Sequence, residues 1–207
     1  MNFKSTINRL ICALALGAGF LPSVGHAHIP LPPKEASGGI GRRTVSTAVT
    51  DFKLTDQDGK IFQFANARGK LLLVTFVFTT CPDVCPLFTA NFATIQRTLE
   101  EKKIIDYHLL TITTDPERDT APVLKAYAER FKADLKNWSF LSGTRAELSK
   151  VWKIFGVNVT KTESGQVQHT SFTTLVDREG KRRVDYYGDK WREKEVIKDL
   201  EWLRSAK

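Results

Sequence analysis

The pattern of apolar and polar positions predicts alternating strands and helices along most of this chain. The continuous apolar run LLLVTFVF, residues 71–78, is typical of a strand that is covered on both faces. YHLLTITTD, from residue 107, repeats the strand pattern, and between the two runs apolar residues recur at helical spacing over residues 87–101. These segments are therefore predicted to form a β-α-β unit with parallel strands.

Similar patterns extend on both sides of this unit. Towards the amino terminus, FKLTDQDGKIFQF alternates apolar and polar residues around Asp58-Gly59, a pair that favours a tight hairpin turn. Further strands are predicted at WSFLSG, SFTTLV and RRVDYY, and further helices over about residues 122–132, 145–155 and 192–203. The series predicts an α/β sandwich with a mostly parallel central sheet and an added N-terminal β-hairpin.

The first 27 residues carry the pattern of an export signal. Lys4 and Arg9 precede an apolar run, and small residues surround His26 in an A-x-A-like cleavage pattern that ends at Ala27. The run is shorter than the roughly 20 residues of a spanning helix, so we predict a cleaved signal peptide, with an uncleaved membrane anchor as the alternative. Residues 28–48 are predicted to be a flexible spacer, because Pro and Gly are frequent and periodic apolar residues are rare.

The remaining residues, 49–207, are long enough to form one globular domain with its own core. The formal net charge is +8, and removal of the predicted signal lowers it to +6 because that segment holds two cations and no acid. The basic residues are interspersed with acids, which favours a solvated surface over an acidic or membrane partner. An exported protein with this pattern is not expected to bind nucleic acid.

Two thiols lie where the first buried strand ends, in the stretch TTCPDVCP. Cys81 and Cys85 are the only cysteines outside the predicted signal, too few for a disulfide scaffold. Ligands gather at the carboxyl ends of parallel strands, where helix N-termini favour thiolates. The spacing places both sulfurs on one side of a helical turn, which suits a disulfide, a redox dithiol or a soft-metal site. Two buried small hydrophobes are disfavoured because the segment is polar and turn-like.

A histidine close to the two cysteines would distinguish a metal site from a redox dithiol. His26 leaves with the signal, and His108 lies in a strand pattern where a structural role is expected. His28 would become the new amino terminus and could chelate copper through its amine and ring, but its place in the predicted flexible spacer disfavours this role. His169 precedes the predicted strand SFTTLV, and its case as a ligand depends on the cysteines.

Three motifs together resemble a known family. VTFVFTTCPDVCP, TTDPERDTAPVLKAYAERF and QHTSFTTLVDREGK are similar to segments of the Sco/SenC family of exported copper-binding proteins. The resemblance covers nearly all of the chain after about Val49. It implies a thioredoxin-like fold with an added hairpin, and one copper ion, as Cu(I) or Cu(II), bound by Cys81, Cys85 and His169.

The resemblance also implies a function. It indicates a periplasmic copper metallochaperone that helps to build the binuclear copper centre of cytochrome c oxidase. The partners would then be the copper-bearing subunit of that oxidase and, further, other periplasmic copper chaperones or thiol reductants. The alternative function is a thiol-disulfide reductase that keeps the oxidase cysteines reduced, with Cys81 and Cys85 as its redox pair. Peroxide reduction and copper or redox sensing rank below these two.

The donor set favours copper on chemical grounds as well. Thiolates select Cu(I), imidazole accepts both copper states, and three ligands leave the coordination shell open for transfer. A structural zinc site would need a fourth Cys or His at suitable spacing, which the sequence lacks. Compared with thioredoxins, the chain has CxxxC instead of CxxC, and VQHTSF where they carry a cis-proline. Both departures favour metal binding over general disulfide exchange.

The acids of DPERDT, residues 115–120, are expected at the same edge of the sheet. Asp119 is predicted to be a helix cap with Arg118 as its exposed neighbour. Asp115 and Asp83 are expected to tune the charge of the site or to contact a partner. They stay outside the predicted ligand set because carboxylates are hard ligands.

Overall fold

A computed structural model describes residues 41–205, and a six-stranded sheet forms its centre. The strands are β1 Arg42–Ala48, β2 Lys53–Thr55, β3 Ile61–Gln63, β4 Leu71–Val77, β5 Tyr107–Thr113, β6 Trp138–Leu141, β7 Val159–Lys161, β8 Val167–His169, β9 Phe172–Val176 and β10 Lys181–Tyr187. The helices are α1 Val84–Glu101, α2 Ala121–Arg130, α3 Arg145–Phe155 and α4 Glu193–Ser205, with a 3₁₀ helix at Phe64–Ala67.

The sheet has the order β1-β10-β9-β4-β5-β6. The core strands β4, β5 and β6 are parallel, whereas β9, β10 and β1 continue the sheet in antiparallel pairings. β2 and β3 form the separate predicted hairpin, in which the Asp56 carboxylate accepts hydrogen bonds from the backbone N–H groups of Asp58 and Lys60. The predicted α/β class with mostly parallel core strands and an added hairpin is confirmed.

The core lies on both faces of the sheet, which explains the unbroken apolar run of β4. All seven residues of β4 are buried. Leu71 and Leu73 pack on one face with α1, α2 and α4, while Leu72, Val74 and Phe76 pack on the other with α3 and the 3₁₀ helix. Because side chains alternate along a strand, a strand covered twice must be apolar at every position.

Part of the predicted flexible spacer is a strand. Residues 42–48 form β1, which pairs with β10 at the edge of the sheet. The Arg42 guanidinium donates to Asp199 through Nε and Nη2 at 2.8 and 2.7 Å, and the side chains are 3% and 0% exposed. The strand could not be predicted from the sequence, because most of its side chains are exposed and an exposed edge strand shows no alternation of apolar and polar residues. Residues 1–40, with the predicted signal peptide and the rest of the spacer, lie outside the described residues.

Prediction and structure agree for α3 but differ for α1 and for the hairpin of β7 and β8, and the start of α1 bears on the candidate site. The predicted helix at residues 145–155 is confirmed, with a capping box between Thr144 and Glu147 and Gly156 at its end. α1 begins at Val84, earlier than predicted. The hairpin of β7 and β8 was not predicted, because its strands have only three residues each and it lacks the Asp-Gly turn pair that marks the β2–β3 hairpin.

His108 is a structural residue, as predicted, and it should make stability depend on pH. In β5 its Nε2 lies 2.9 Å from Ser139 Oγ, its ring stacks on Phe62, and burial, with a smaller effect of Lys70, lowers its pKa to about 4. The unfolded state therefore takes up this proton first, near pH 6.5. We expect the free energy of unfolding to fall between about pH 6.5 and 4, by at most roughly 3 kcal/mol.

Urea denaturation at pH 7, 5.5 and 4.5 checks this expectation. The variant His108→Gln should lose the part of the pH dependence that this imidazole causes. An equally steep loss of stability in the variant would contradict the assignment.

Candidate metal centre

The two cysteines lie between the end of β4 and the first turn of α1. A turn after β4 is closed by the Cys81 N–H, which donates to the Phe78 carbonyl at 3.2 Å. α1 begins at Val84, so Cys85 sits in its first turn, and Pro86 follows where a missing N–H costs nothing. Cys85 is fully buried, Cys81 is partly exposed, and both are free thiols.

His169, from a distant part of the sequence, lies close to Cys85. It is the last residue of β8, at the open end of the β7–β8 hairpin. This end is fixed by the Thr170 N–H, which donates to the Asn158 carbonyl at 3.0 Å, and by the Asn158 N–H, which donates to Thr170 Oγ1 at 3.2 Å. The imidazole packs edge-on against Phe78, with ring centroids 5.8 Å apart.

The structure brings Cys85 and His169 together although 84 positions separate them in sequence. Cys85 Sγ lies 3.8 Å from His169 Nε2. His169 Nδ1 lies 3.0 Å from the Thr170 carbonyl, which can only accept, so Nδ1 carries the proton. Nε2 therefore presents its lone pair to the sulfur, which is the orientation that a metal ligand needs.

Burial sets the protonation of both groups. It raises the pKa of the Cys85 thiol well above its usual range, and a backbone hydrogen bond from Phe78 opposes this only in part. It also lowers the pKa of His169, opposed by the bond to the Thr170 carbonyl. The helix N-terminus was predicted to activate at least one sulfur as a thiolate, and at Cys85 desolvation opposes this effect. The S–H of Cys85 then faces a neutral imidazole.

Cys81 adjoins this pair without completing it. Val77, Phe78, Cys85 and Val167 form a small buried cluster, and Cys81 packs against it. Within residues 41–205, no three or more His, Cys, Asp and Glu side chains are already arranged as a metal site.

The pair fits a shared soft metal. Cys85 Sγ and His169 Nε2, 3.8 Å apart, are close enough to bind the same ion, because metal bonds of roughly 2.3 Å to sulfur and roughly 2.0 Å to nitrogen would together span that distance. The donors are a sulfur that becomes a thiolate on metal binding and a neutral imidazole nitrogen, the combination that suits copper.

Asp119 is not the helix cap that was predicted. Thr120 is the residue before α2, and the Asp119 carboxylate is fully buried. It accepts hydrogen bonds from Thr79 Oγ1 and Thr113 Oγ1 at 2.5 Å each, and from the Thr79 N–H. Burial raises the pKa of Asp119, and these hydrogen bonds oppose the rise. The carboxylate thus fixes the chain just before Cys81, because it joins Thr79, beyond the end of β4, to Thr113 at the end of β5.

Asp115 and Arg118 also differ from expectation, whereas Asp83 is exposed. Arg118 is half exposed but donates to the fully buried Asp115 carboxylate at 3.0 Å. Both residues contact the β7–β8 hairpin: Asp115 pairs with Lys161, and Arg118 donates to the Gly165 carbonyl.

This arrangement defines a thioredoxin-like protein in which a histidine has been brought opposite the thiol pair. Within that class, the chain belongs to the SCO1/SenC family, whose model matches residues 41–205. The described residues contain no helix with the length and apolar character to cross a bilayer.

Three solved structures show the similarity in detail. A SCO1/SenC family lipoprotein from Bacillus anthracis is 33% identical, with a TM-score of 0.73 and coverage of 79% of this chain and 98% of that one. BsSco, described as a member of the Sco family of cytochrome c oxidase assembly proteins, is 31% identical, with a TM-score of 0.70 and coverage of 80% and 98%. Yeast Sco1 with copper bound is 32% identical, with a TM-score of 0.66 and coverage of 77% and 90%.

Proposed function

We propose that this protein is a copper metallochaperone that assists assembly of the binuclear copper centre of cytochrome c oxidase. It binds one copper ion, its cargo, through Cys81, Cys85 and His169. The observation that carries the proposal is the 3.8 Å approach of Cys85 Sγ to the unprotonated Nε2 of His169. The copper-bound structure of yeast Sco1 and the description of BsSco as an oxidase assembly protein support it.

Binding exchanges protons for metal. Cu(I) displaces the thiol protons of Cys81 and Cys85, so loading releases protons to solvent and requires the reduced pair. Oxidation of the pair to a disulfide removes both sulfur donors and switches binding off. Because Cys81 is partly exposed and Cys85 is buried, Cys81 is the sulfur that an incoming donor or recipient reaches. Three ligands leave the shell open for transfer.

The proposed setting follows from the same chemistry. Residues 1–27 export the protein to the periplasm or tether it to the membrane. The recipient is the copper-bearing subunit of the oxidase, and other periplasmic copper chaperones or thiol reductants load or reduce the site. The alternative, a thiol-disulfide reductase that acts on the oxidase cysteines, uses the same two free thiols without carrying copper.

The variant His169→Ala separates the two functions. Copper retention against a competing Cu(I) chelator should fall by more than about 10-fold, because a ligand is lost, while reduction of a disulfide peptide should continue. His108→Gln serves as the matched control, since it removes an imidazole far from the sulfurs. If His169→Ala kept its copper and lost its reductase turnover, the metallochaperone proposal would be wrong.

A further inference from the structure

A group of ion pairs joins the hairpin that carries His169 to the loop after β5. Lys161 Nζ in β7 lies 2.9 Å from Asp115 Oδ1, as an ion pair, and 2.9 Å from Glu117 Oε2. Arg145, the first residue of α3, donates to Glu117 Oε1 at 2.8 Å. The carboxylates thus connect the hairpin with two elements of the main domain.

Arg118 provides a second connection at the turn of the hairpin. Its Nη1 donates to Asp115 Oδ2 at 3.0 Å and to the carbonyl of Gly165 at 3.2 Å. We call the five charged residues involved the hairpin clamp: Asp115, Glu117, Arg118, Arg145 and Lys161.

The hairpin needs such a connection because it is not part of the central sheet. β7 and β8 form a separate two-stranded sheet, and an isolated hairpin of this kind is marginally stable. Its apolar contact with the domain comes from one residue of each strand: Val167 packs in the buried cluster around Cys85, and Val159 packs against the same cluster and the core beside α3. Asp115 is fully buried and the Lys161 side chain is 28% exposed, so their attraction is screened less than that of a surface pair.

The clamp acts at the end of the hairpin opposite to His169. Lys161 pairs with Val167 next to the turn, whereas Val159 pairs with His169 at the open end. The open end is held by the hydrogen bonds between Asn158 and Thr170. Fixation at both ends limits rotation of the hairpin, and with it the distance from the imidazole to the sulfurs.

We propose that the hairpin clamp is a positioning device, in which Lys161 holds the β7–β8 hairpin against the domain and keeps His169 next to Cys85. Lys161, Asp115 and Glu117 are positioning residues that touch no copper. The consequence for copper release rests on the proposed function, whereas the consequence for the motion of the hairpin does not.

The test compares Lys161→Met with Lys161→Arg and with Lys181→Met. Lys181→Met is the control for the change of charge, because Lys181 is a strand residue that also forms an ion pair, with Glu179. In the copper-free protein, amide hydrogen exchange at Thr162 and Thr170 should become about 5-fold faster in Lys161→Met. Cu(I) loss to a chelator should accelerate by about the same factor. Lys161→Arg should stay within about 2-fold of the unaltered protein, and Lys181→Met should show no change.

Salt provides a readout that a purely structural role would not give. Raising the NaCl concentration from about 0.05 to 1 M should accelerate hairpin exchange more in the unaltered protein than in Lys161→Met, where the two ion pairs of Lys161 are absent and only those of Arg118 and Arg145 remain. Glu117→Gln, a change at a half-exposed side chain, should give a smaller acceleration of the same kind and covers the case that Lys161→Met folds poorly.

Equal exchange in Lys161→Met and the unaltered protein would overturn the proposal whatever the copper result. Faster exchange with an unchanged rate of copper loss would also overturn it, because the clamp would then not position a ligand. Failure of the unaltered protein to bind copper would contradict the proposed function instead. The hydrogen-exchange rates alone would then test whether the hairpin clamp holds the hairpin in place.

Discussion

The double variant Cys81→Ser, Cys85→Ser should bind no tight equivalent of Cu(I) in an anaerobic titration that gives one equivalent for the unaltered protein. Serine keeps the shape of the side chain but replaces a soft sulfur by a hard, protonated oxygen, so that His169 alone remains of the three proposed donors. The loss in affinity should exceed about 100-fold, the upper end for removal of a group that merely supports a ligand.

The fold should survive this change. His169 Nε2 presents a lone pair towards position 85, so a buried serine hydroxyl there has an acceptor and is not left unpaired. Thr80→Ala, at an exposed position of the same loop, is the control and should bind copper normally. The single variants should each weaken binding strongly. One retained tight equivalent in the double variant would refute the ligand set.

Replacement of Asp199 by Ala should destabilise the protein by about 3–5 kcal/mol. Its carboxylate, 0% exposed, accepts two bonds from Arg42 and one from the Tyr186 hydroxyl at 2.5 Å. Removal leaves a buried guanidinium without its counter-charge and a buried hydroxyl without its acceptor. Chemical denaturation monitored by circular dichroism gives the free energy of unfolding.

Asp106→Ala is the matched control. Asp106 also receives bonds from two arginines, Arg178 and Arg204, but its side chain is 32% exposed, so its loss should cost less than about 1 kcal/mol. Replacing both partners of the buried pair, as Arg42→Met with Asp199→Leu, should recover part of the stability, because no charge is then left uncompensated. If Asp199→Ala and Asp106→Ala lowered the free energy of unfolding equally, burial would not be the reason why Asp199 stabilises the protein.

The fold could be predicted wherever burial leaves a pattern in the local sequence. β4 is covered on both faces and is therefore apolar at each position, and α3 carries its own capping box and a terminal glycine. β1 leaves no such pattern because most of its side chains are exposed, and the β7–β8 hairpin has short strands without the Asp-Gly turn pair that marks β2 and β3. Their stability comes from partners far along the chain, such as Asp199 for β1 and Asp115 for β7.

The candidate site, too, could be predicted from the sequence only in part. The CxxxC spacing and its position after a buried strand are local, so Cys81 and Cys85 could be singled out from the sequence. The role of Asp119 could not, because its carboxylate is shared between the ends of two strands that meet only in the sheet.

Residue type and short spacing were enough to predict the order of most elements, the α/β class and the pair of thiols at the end of a strand. The folded chain was needed to show that Cys85 is a buried thiol, that His169 offers Nε2 and not Nδ1, and that 3.8 Å separates the two. Protonation and ligand geometry depend on desolvation and on hydrogen bonds between residues 84 positions apart, which no local pattern encodes.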